Sequence, residues 1–429
     1  MCRPRSSGEA FPMMKKILIA IGALVALVLI GAGSAMGVAT HKINKTYDYV
    51  ALPNITRDSS PEGIARGEQV FRAVCGECHA GGGNTKPVGG RMFDFPAELG
   101  TFYSANITSD MEKGVGAWTD QEIARLVING IDKNHHFRPM PPFPNMGDKD
   151  IAAVIGFMRS GHPDFAPEKQ QPPRSELTPP GRMAFAFAMG INDKGRTEPV
   201  LVPAKAADSV EYGRYLASSV YDCTFCHSPG LESSAVKMQH PETLLSGGFE
   251  FDMVPLGGEG KLLSPNITPS ETAGIGKWTL DEFNHAMVTG ITPGGYILRA
   301  PMPKYRYADA VELSALYTFL RSMKPNDKVV PPPAGGRPKA EPSSDPEKMF
   351  SSLGCATCHA PGKAYEAKLQ GAKGKAPEEV AKWIRNPESF KPGTQMPTYE
   401  SLIDENNALA LARYVLGKTG GTVSEGTTP

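Results

Sequence analysis

Cys75-Gly76-Glu77-Cys78-His79, Cys223-Thr224-Phe225-Cys226-His227 and Cys355-Ala356-Thr357-Cys358-His359 are three copies of one pattern, C-x-x-C-H. Two thiols at this spacing can add across the two vinyl groups of one haem, and the histidine beside them is then held close enough to ligate the iron; the pattern is the c-type haem attachment site. A zinc knuckle would need two such pairs in one site and a redox dithiol would want a βαβ setting, and neither accounts for a histidine closing every copy. The motifs therefore predict three covalent haem c groups, attached through Cys75, Cys78, Cys223, Cys226, Cys355 and Cys358. His79, His227 and His359 are the expected proximal iron ligands. Of the seven cysteines only Cys2 is left over, and a start at Met13 or Met14 would omit it.

The sixth ligand separates a carrier from a catalyst, because methionine in that position gives a closed, relatively high-potential iron. Met140, Met302 and Met396 are the candidates. Each follows its C-x-x-C-H, precedes a closing helix and stands before a proline that holds it extended. With 18 Met and 39 Pro in the chain, about one or two Met-Pro pairs arise by chance, so placement carries the argument. Met146, His135 and His136 compete with Met140, while His240 and His285 compete more weakly in the second unit. His41 and His162 read as solvated. Trp118, Trp278 and Trp383, one per unit, are candidates to donate an indole N–H to a haem propionate, or are core residues with another acceptor.

An internal repeat organises the rest. Asn106-Ile107-Thr108 recurs as Asn266-Ile267-Thr268, and G-V-G-A-W-T ending at Thr119 recurs as G-I-G-K-W-T ending at Thr279. Pro139-Met140-Pro141 matches Pro301-Met302-Pro303, and Phe157 to Ser160 matches Phe319 to Ser322. Two duplicate domains are expected at about 49–165 and 201–328, and a shorter third without the Asn-Ile-Thr block at about 346–420. Closing helices show helical spacing at Ile151, Val154, Ile155, Met158 and at Leu313, Leu316, Tyr317, Leu320. Asp148, Asp309 and Asp404 stand where those helices can be capped. The connecting segment 166–200 contains apolar Met183 to Met189, expected to pack on a domain surface. Residues 329–345 read as a proline-rich linker and 421–429 as a tail.

Residues 1–48 hold the remaining signal. Lys15 and Lys16 precede an almost unbroken apolar run from Ile17 to Ala39, long enough to cross a bilayer at about 1.5 Å per residue. The lysines place the start of the chain in the cytoplasm. A single N-terminal pass in the inner membrane, with the body on the periplasmic side, is the expectation; a cleaved signal peptide is the alternative. The 429 residues are 40% hydrophobic and 21% charged with zero formal net charge, so no global field favours nucleic acid. The first two domains each carry 11 basic against 14 acidic residues and the third 10 against 8. Lys363, Lys368, Lys373 and Lys375 follow the third haem motif, as a docking patch for an acidic acceptor or as a solvated charge run. With the linker before it, the third domain is expected to swing as a mobile exit port.

With these residues assembled, the chain resembles the multi-haem cytochrome c subunits of membrane-bound bacterial dehydrogenases for alcohols, aldehydes, gluconate or sugars. The resemblance rests on the two Asn-Ile-Thr and G-x-G-x-W-T blocks with their Met-Pro segments. It implies a mainly α fold, three class I-like cytochrome c domains in tandem after an N-terminal transmembrane helix. It also implies electron transfer from a dehydrogenase catalytic subunit to quinone or another respiratory component, without substrate chemistry of the chain's own. W-I-R-N-P at Trp383 to Pro387 and K-P-G-T-Q-M-P ending at Pro397 instead look like the single-haem domains associated with terminal oxidases. They imply a respiratory linker feeding an oxidase or a soluble cytochrome. A haem peroxidase, with His135 or His136 as distal group, is the reading of another class.

Overall fold

The structure is a computed structural model describing residues 10–80, 86–92, 96–252, 260–298, 302–332, 343–361, 365–391, 394, 396–400 and 402–420. Cys2, Lys363, most of the proline-rich linker and the tail lie outside the described residues. The chain begins with α1, Ala10–Asn44, one continuous helix that over Met14–Asn44 is long and apolar enough to cross a membrane. Its apolar side chains from Ile17 to Ile30 are exposed, yet Ala39 is buried.

Each C-x-x-C-H sits at the end of a helical entry. In the first unit α2 (Pro61–Val70) runs through a π-type turn, Phe71–Cys75, into α3 (Gly76–His79). A hairpin of β1 (Gly90–Met92) and β2 (Gly100–Ser104) follows, then α4 (Asp120–Asn129) and α5 (Asp148–Met158). The connecting segment supplies β3 (Glu176–Leu177), which pairs with β2, and α6 (Pro179–Met183) with a π-type turn, Ala184–Ala188. It packs on the first unit, as the apolar Met183 to Met189 stretch suggested.

The second unit repeats the plan. Helix α7 (Val210–Tyr215) and a π-type turn, Leu216–Val220, lead to α8 (Cys223–His227) and α9 (Ser234–Lys237). The hairpin β4 (Glu250–Asp252) and β5 (Lys261–Leu263), then α10 (Leu280–Thr289) and α11 (Ala310–Ser322), complete it. The third unit has α12 (Pro346–Ser352), α13 (Cys355–His359), α14 (Pro377–Arg385) and α15 (Glu405–Lys418). The protein is mainly helical, as expected. The hairpins form because the stretch after each of the first two haem motifs folds back on itself, pairing Arg91 with Tyr103 and Phe251 with Leu262.

Local sequence explains the helix ends. Asp309 and Asp404 cap α11 and α15, accepting from the backbone N–H of Glu312 and Asn407 at 3.0 and 2.7 Å. Asp148 does not cap α5: Gly147 holds that position, and the Asp148 carboxylate instead accepts from Arg196 and from the Val200 N–H. An ion pair with the connecting segment has displaced the local cap.

Helices α2 and α5 cross at Gly67, where a Cβ would overlap the carbonyl of Ala153; α7 and α11 cross in the same way at Gly213 against Ala315. Superposing these glycines equates Arg66 with Tyr212 and Gln69 with Tyr215. Asp150 and Glu312 are each the third residue of their closing helix. These side chains meet between the two units with a pseudo-two-fold relation. Tyr215 Oη donates to Asp150 Oδ2 at 2.5 Å and Gln69 Nε2 donates to Glu312. Arg66 bridges both carboxylates, at 2.8 Å to Asp150 Oδ1 and 2.5 Å to Glu312 Oε1, while Tyr212 and Tyr221 donate to Glu312 at 3.1 and 2.9 Å. One hydrophobic cluster runs through both units, from Val70 and Phe157 to Leu216 and Phe319.

The third unit has its own core, centred on Met349, Leu353, Leu411 and Ala412, but Ile297 of the second unit packs into it. Arg306 pairs with Glu388, Tyr307 Oη donates to the same carboxylate, and Lys304 Nζ donates to the carbonyl of Met396. The Arg72 guanidinium lies 5.6 Å from the Tyr307 ring, so the stretch after Met302 touches all three units. The swinging third domain expected from the linker is replaced by a docked one, because these contacts desolvate two cations of the second unit against it.

Glu312 is buried and accepts from four side chains. Glu312→Ala is expected to destabilise the protein by about 3–5 kcal/mol in denaturant unfolding, since Gln69, Tyr212 and Tyr221 lose their acceptor and Arg66 keeps only Asp150, while Glu312→Gln should cost less. Equal stability of the alanine variant and wild type would show that the network does not join the units.

Candidate haem-attachment sites

The ring Nδ1 of each motif histidine meets a backbone carbonyl: His79 to Ala105 at 2.7 Å, His227 to Pro265 at 2.9 Å and His359 to Tyr365 at 2.9 Å. An Nδ1–H so bound fixes the tautomer and leaves Nε2 as the lone-pair donor that iron requires. Burial also holds all three imidazoles below the ordinary histidine pKa, and so neutral. Cys75, Cys223 and Cys355 point the same way. Desolvation pushes their thiols up to about 12, the opposite of the lowered values that make a dithiol redox-active. Among the described residues no three of His, Cys, Asp and Glu gather as a metal site. The donor set fits a thioether-bound haem with one histidine ligand and does not fit zinc.

The repeated blocks found in the sequence build these carbonyls. Asn106 Oδ1 accepts from the Thr108 N–H and hydroxyl at 2.9 and 2.8 Å, and its Nδ2 donates to the carbonyls of Glu168 and Gln170. Asn266 does the same with Thr268 and with the carbonyls of Asn326 and Lys328. Each asparagine follows directly on the residue whose carbonyl holds the histidine. The G-x-G steps let the next loop close over this turn: a Cβ at Gly114 or Gly274 would overlap the carbonyl of Thr108 or Thr268. Thr119 and Thr279 end the blocks as N-caps of α4 and α10, in capping boxes with Glu122 and Glu282. The third unit lacks the asparagine and uses a nearer carbonyl, placed by a hydrogen bond from the Tyr365 N–H to the Cys358 carbonyl at 3.0 Å.

Met302 packs partly buried against the joint core of the first two units, and Met396 against the core of the third. Met140 is half-buried on a loop whose Arg138 N–H donates to the Gly130 carbonyl at 2.8 Å. Of its competitors, Met146 is buried in the hydrophobic core, and its carbonyl accepts from Arg196 at 2.9 Å. His135 Nδ1 lies 3.2 Å from Arg125 and 3.7 Å from Asp48, and His136 is exposed. His240 and His285 are exposed as well. The tryptophans sit half-buried: Trp383 packs on Phe390, the Lys133 ammonium lies over Trp118, and the Trp278 carbonyl accepts from Tyr317.

Lys237 was not singled out from sequence. Its buried ammonium donates to the carbonyls of Phe225, Ser228 and Gly230 at 2.6, 3.0 and 2.8 Å, bracing the chain on both sides of His227. A lone lysine in a polar stretch carries no signal of such a role; only the folded loop brings three carbonyls to it.

Asn266→Ala removes the turn that sets the Pro265 carbonyl. A loss of about 1–3 kcal/mol in stability is expected, with a changed midpoint potential for one haem and the others unmoved in a spectroelectrochemical titration. Unchanged potentials throughout would separate the asparagine from the histidine.

Comparison with known proteins agrees with this chemistry. The family described as "Cytochrome C oxidase, cbb3-type, subunit III" matches residues 62–158 and 342–415, over the first and third units. The chain is 27% identical over 241 residues to the cytochrome c subunit of the quinone alcohol dehydrogenase of Gluconobacter oxydans, covering 53% of this chain and 46% of that one. It is 26% identical over 236 residues to the gluconate 2-dehydrogenase cytochrome c subunit of Pantoea cypripedii, covering 53% and 51%. To the fructose dehydrogenase cytochrome subunit of Gluconobacter japonicus it is 25% identical over 272 residues, covering 61% and 52%. The chain thus spans about half the length of these curated relatives. Its C-x-x-C-H motifs with their pinned histidines fit c-type haem attachment, and over these stretches the chain is similar to the cytochrome c subunits of membrane-bound bacterial dehydrogenases.

Proposed function

We propose that the chain carries three haem c groups in three class I-like domains, at about 49–165, 201–328 and 346–420, and passes electrons without substrate chemistry of its own. The observation that carries this is the same arrangement built three times: a neutral histidine beside C-x-x-C with Nδ1 committed to a carbonyl. A bound haem supplies one-electron exchange at its iron. The residues holding it are Cys75, Cys78 and His79; Cys223, Cys226 and His227; Cys355, Cys358 and His359. Met140, Met302 and Met396 are the sixth ligands. Closed His/Met sites exclude an open coordination position, which sets a carrier apart from a peroxidase.

The donor is a dehydrogenase catalytic subunit and the acceptor quinone or another respiratory component, as the relatives' names suggest. The oxidase-subunit description of the matched family favours a second reading, a linker that feeds a terminal oxidase or soluble cytochrome. The body stands on the periplasmic face of the inner membrane with α1 as a retained anchor. Support for retention comes from the end of the helix: Ala39 is buried against the folded body, and cleavage after it would remove that packing.

Replacing Met140, Met302 and Met396 singly by alanine should each remove one third of the far-red sulfur-to-iron band of the ferric protein. A full band in any variant would assign that iron another ligand. Isolation of the native complex tests the partner: a flavin or quinone-cofactor dehydrogenase is expected, and an oxidase would establish the second reading. Mass spectrometry of the mature protein should find residues before 40 still attached.

A further inference from the structure

We infer that the connecting segment Met183–Met189 is a second membrane contact, a foot that enters the lipid headgroup layer beside α1. The inference rests on the reading of α1 as a retained anchor. Helical side chains lean toward the N-terminal end of their helix, which for α1 is the membrane side. Lys42 Nζ donates to the Ala186 carbonyl at 3.2 Å and lies 4.9 Å from the centre of the Phe187 ring. Ala186 and Phe187 therefore stand level with residue 42 or nearer the bilayer, within one turn of Ala39, where the apolar run ends.

Burial along α1 agrees. Ala39 is 0% exposed whereas its neighbour Val38 is 48% exposed, so one face of the last apolar turns is covered and the other is left for lipid. Phe187 is itself 49% exposed, and it continues the apolar surface of the helix instead of turning into the body. Lys42, Lys45, Tyr47 and Tyr49 follow the span; Lys45 Nζ lies 4.6 and 5.3 Å from the two tyrosine rings. Lysine and tyrosine at the end of an apolar span are the residues that settle at the headgroup level.

The foot is rigidly joined to the first unit. Ala184 and Phe185 are buried in a cluster with Leu99, Phe102 and Phe137, and the Phe185 ring packs 5.9 and 5.8 Å from those of Phe102 and Phe137. The Tyr47 N–H donates to the His135 carbonyl at 2.8 Å, so the chain leaving the membrane also pairs with the loop that leads to Met140. Two attachment points stop the body from turning about a single helix. They keep the Met140 side of the first unit at the membrane end of the molecule.

The test uses the full chain with Cys2→Ser in vesicles of phosphatidylglycerol and phosphatidylethanolamine, haems reduced. Single Val38→Cys, Phe187→Cys and Leu201→Cys variants carry a nitroxide, and power saturation compares access of oxygen with that of a water-soluble nickel chelate. Leu201, 82% exposed, is the aqueous reference. Labels at 38 and 187 should both prefer oxygen several-fold relative to 201. A label at 187 that behaves like 201, or is shielded from both reagents as beneath a protein partner, overturns the foot while 38 still reports the anchor. Preference for nickel at 38 as well would overturn the anchor reading and the foot with it.

Discussion

The commitment of each motif histidine's Nδ1 to a backbone carbonyl is the interaction on which the rest of the structure depends. A ligating imidazole must be neutral, in one tautomer and in one orientation, and a single N–H to carbonyl hydrogen bond achieves all three. Much of the surrounding fold serves to hold that carbonyl still. In the first two units the Asx turn of Asn106 or Asn266 pins the next residues, the connecting chain is hydrogen-bonded to the asparagine's amide, and the glycines of G-x-G admit a second loop against the turn. In the third unit the carbonyl lies only six residues beyond the histidine, so no such scaffold is needed and the unit is correspondingly short.

Electron exchange between sites falls steeply with separation, so joining the units matters as much as building them. The first two are joined like halves of a dimer. Their crossing helices present equivalent acidic residues, Asp150 and Glu312, each to donors from its own unit and from the other. Burying two carboxylates is costly unless every oxygen is met, and here Arg66 and three tyrosines meet them. Such a network tolerates little sliding, because a small shift leaves a buried charge without its partner. The pair is thereby a single block with one hydrophobic core.

The third unit joins that block through the stretch just after Met302. Lys304 reaches the carbonyl of Met396, and Arg306 pairs with Glu388. The candidate methionine loops of the second and third units are thus in direct contact, and Arg72, three residues before Cys75, reaches the Tyr307 ring in the same stretch. Burial pulls the Lys304 ammonium down to about 7, a sign of how little water remains at this junction.

From sequence alone came the haem motifs, the duplication, the helical character, the apolar N-terminal run and the order of parts in each unit. These are legible because they are local: C-x-x-C-H spacing, period 3.6 and an unbroken apolar stretch are properties of neighbouring residues. The role of the Asn-Ile-Thr block was visible only as repetition, since its function is exercised on a histidine 27 or 39 residues earlier. Asp148 was read as a cap because the local pattern allows it, and lost that role to Arg196, a residue that only folding brings near. Tertiary structure alone decided the pairing of the first two units, the docking of the third and the packing of Met183–Met189 against α1. Each depends on groups more than 80 residues apart meeting in a partly buried place, as Arg66 and Glu312, Arg306 and Glu388, and Lys42 and the Ala186 carbonyl do, and no periodicity or spacing in one chain encodes which distant carboxylate or carbonyl will meet such a donor.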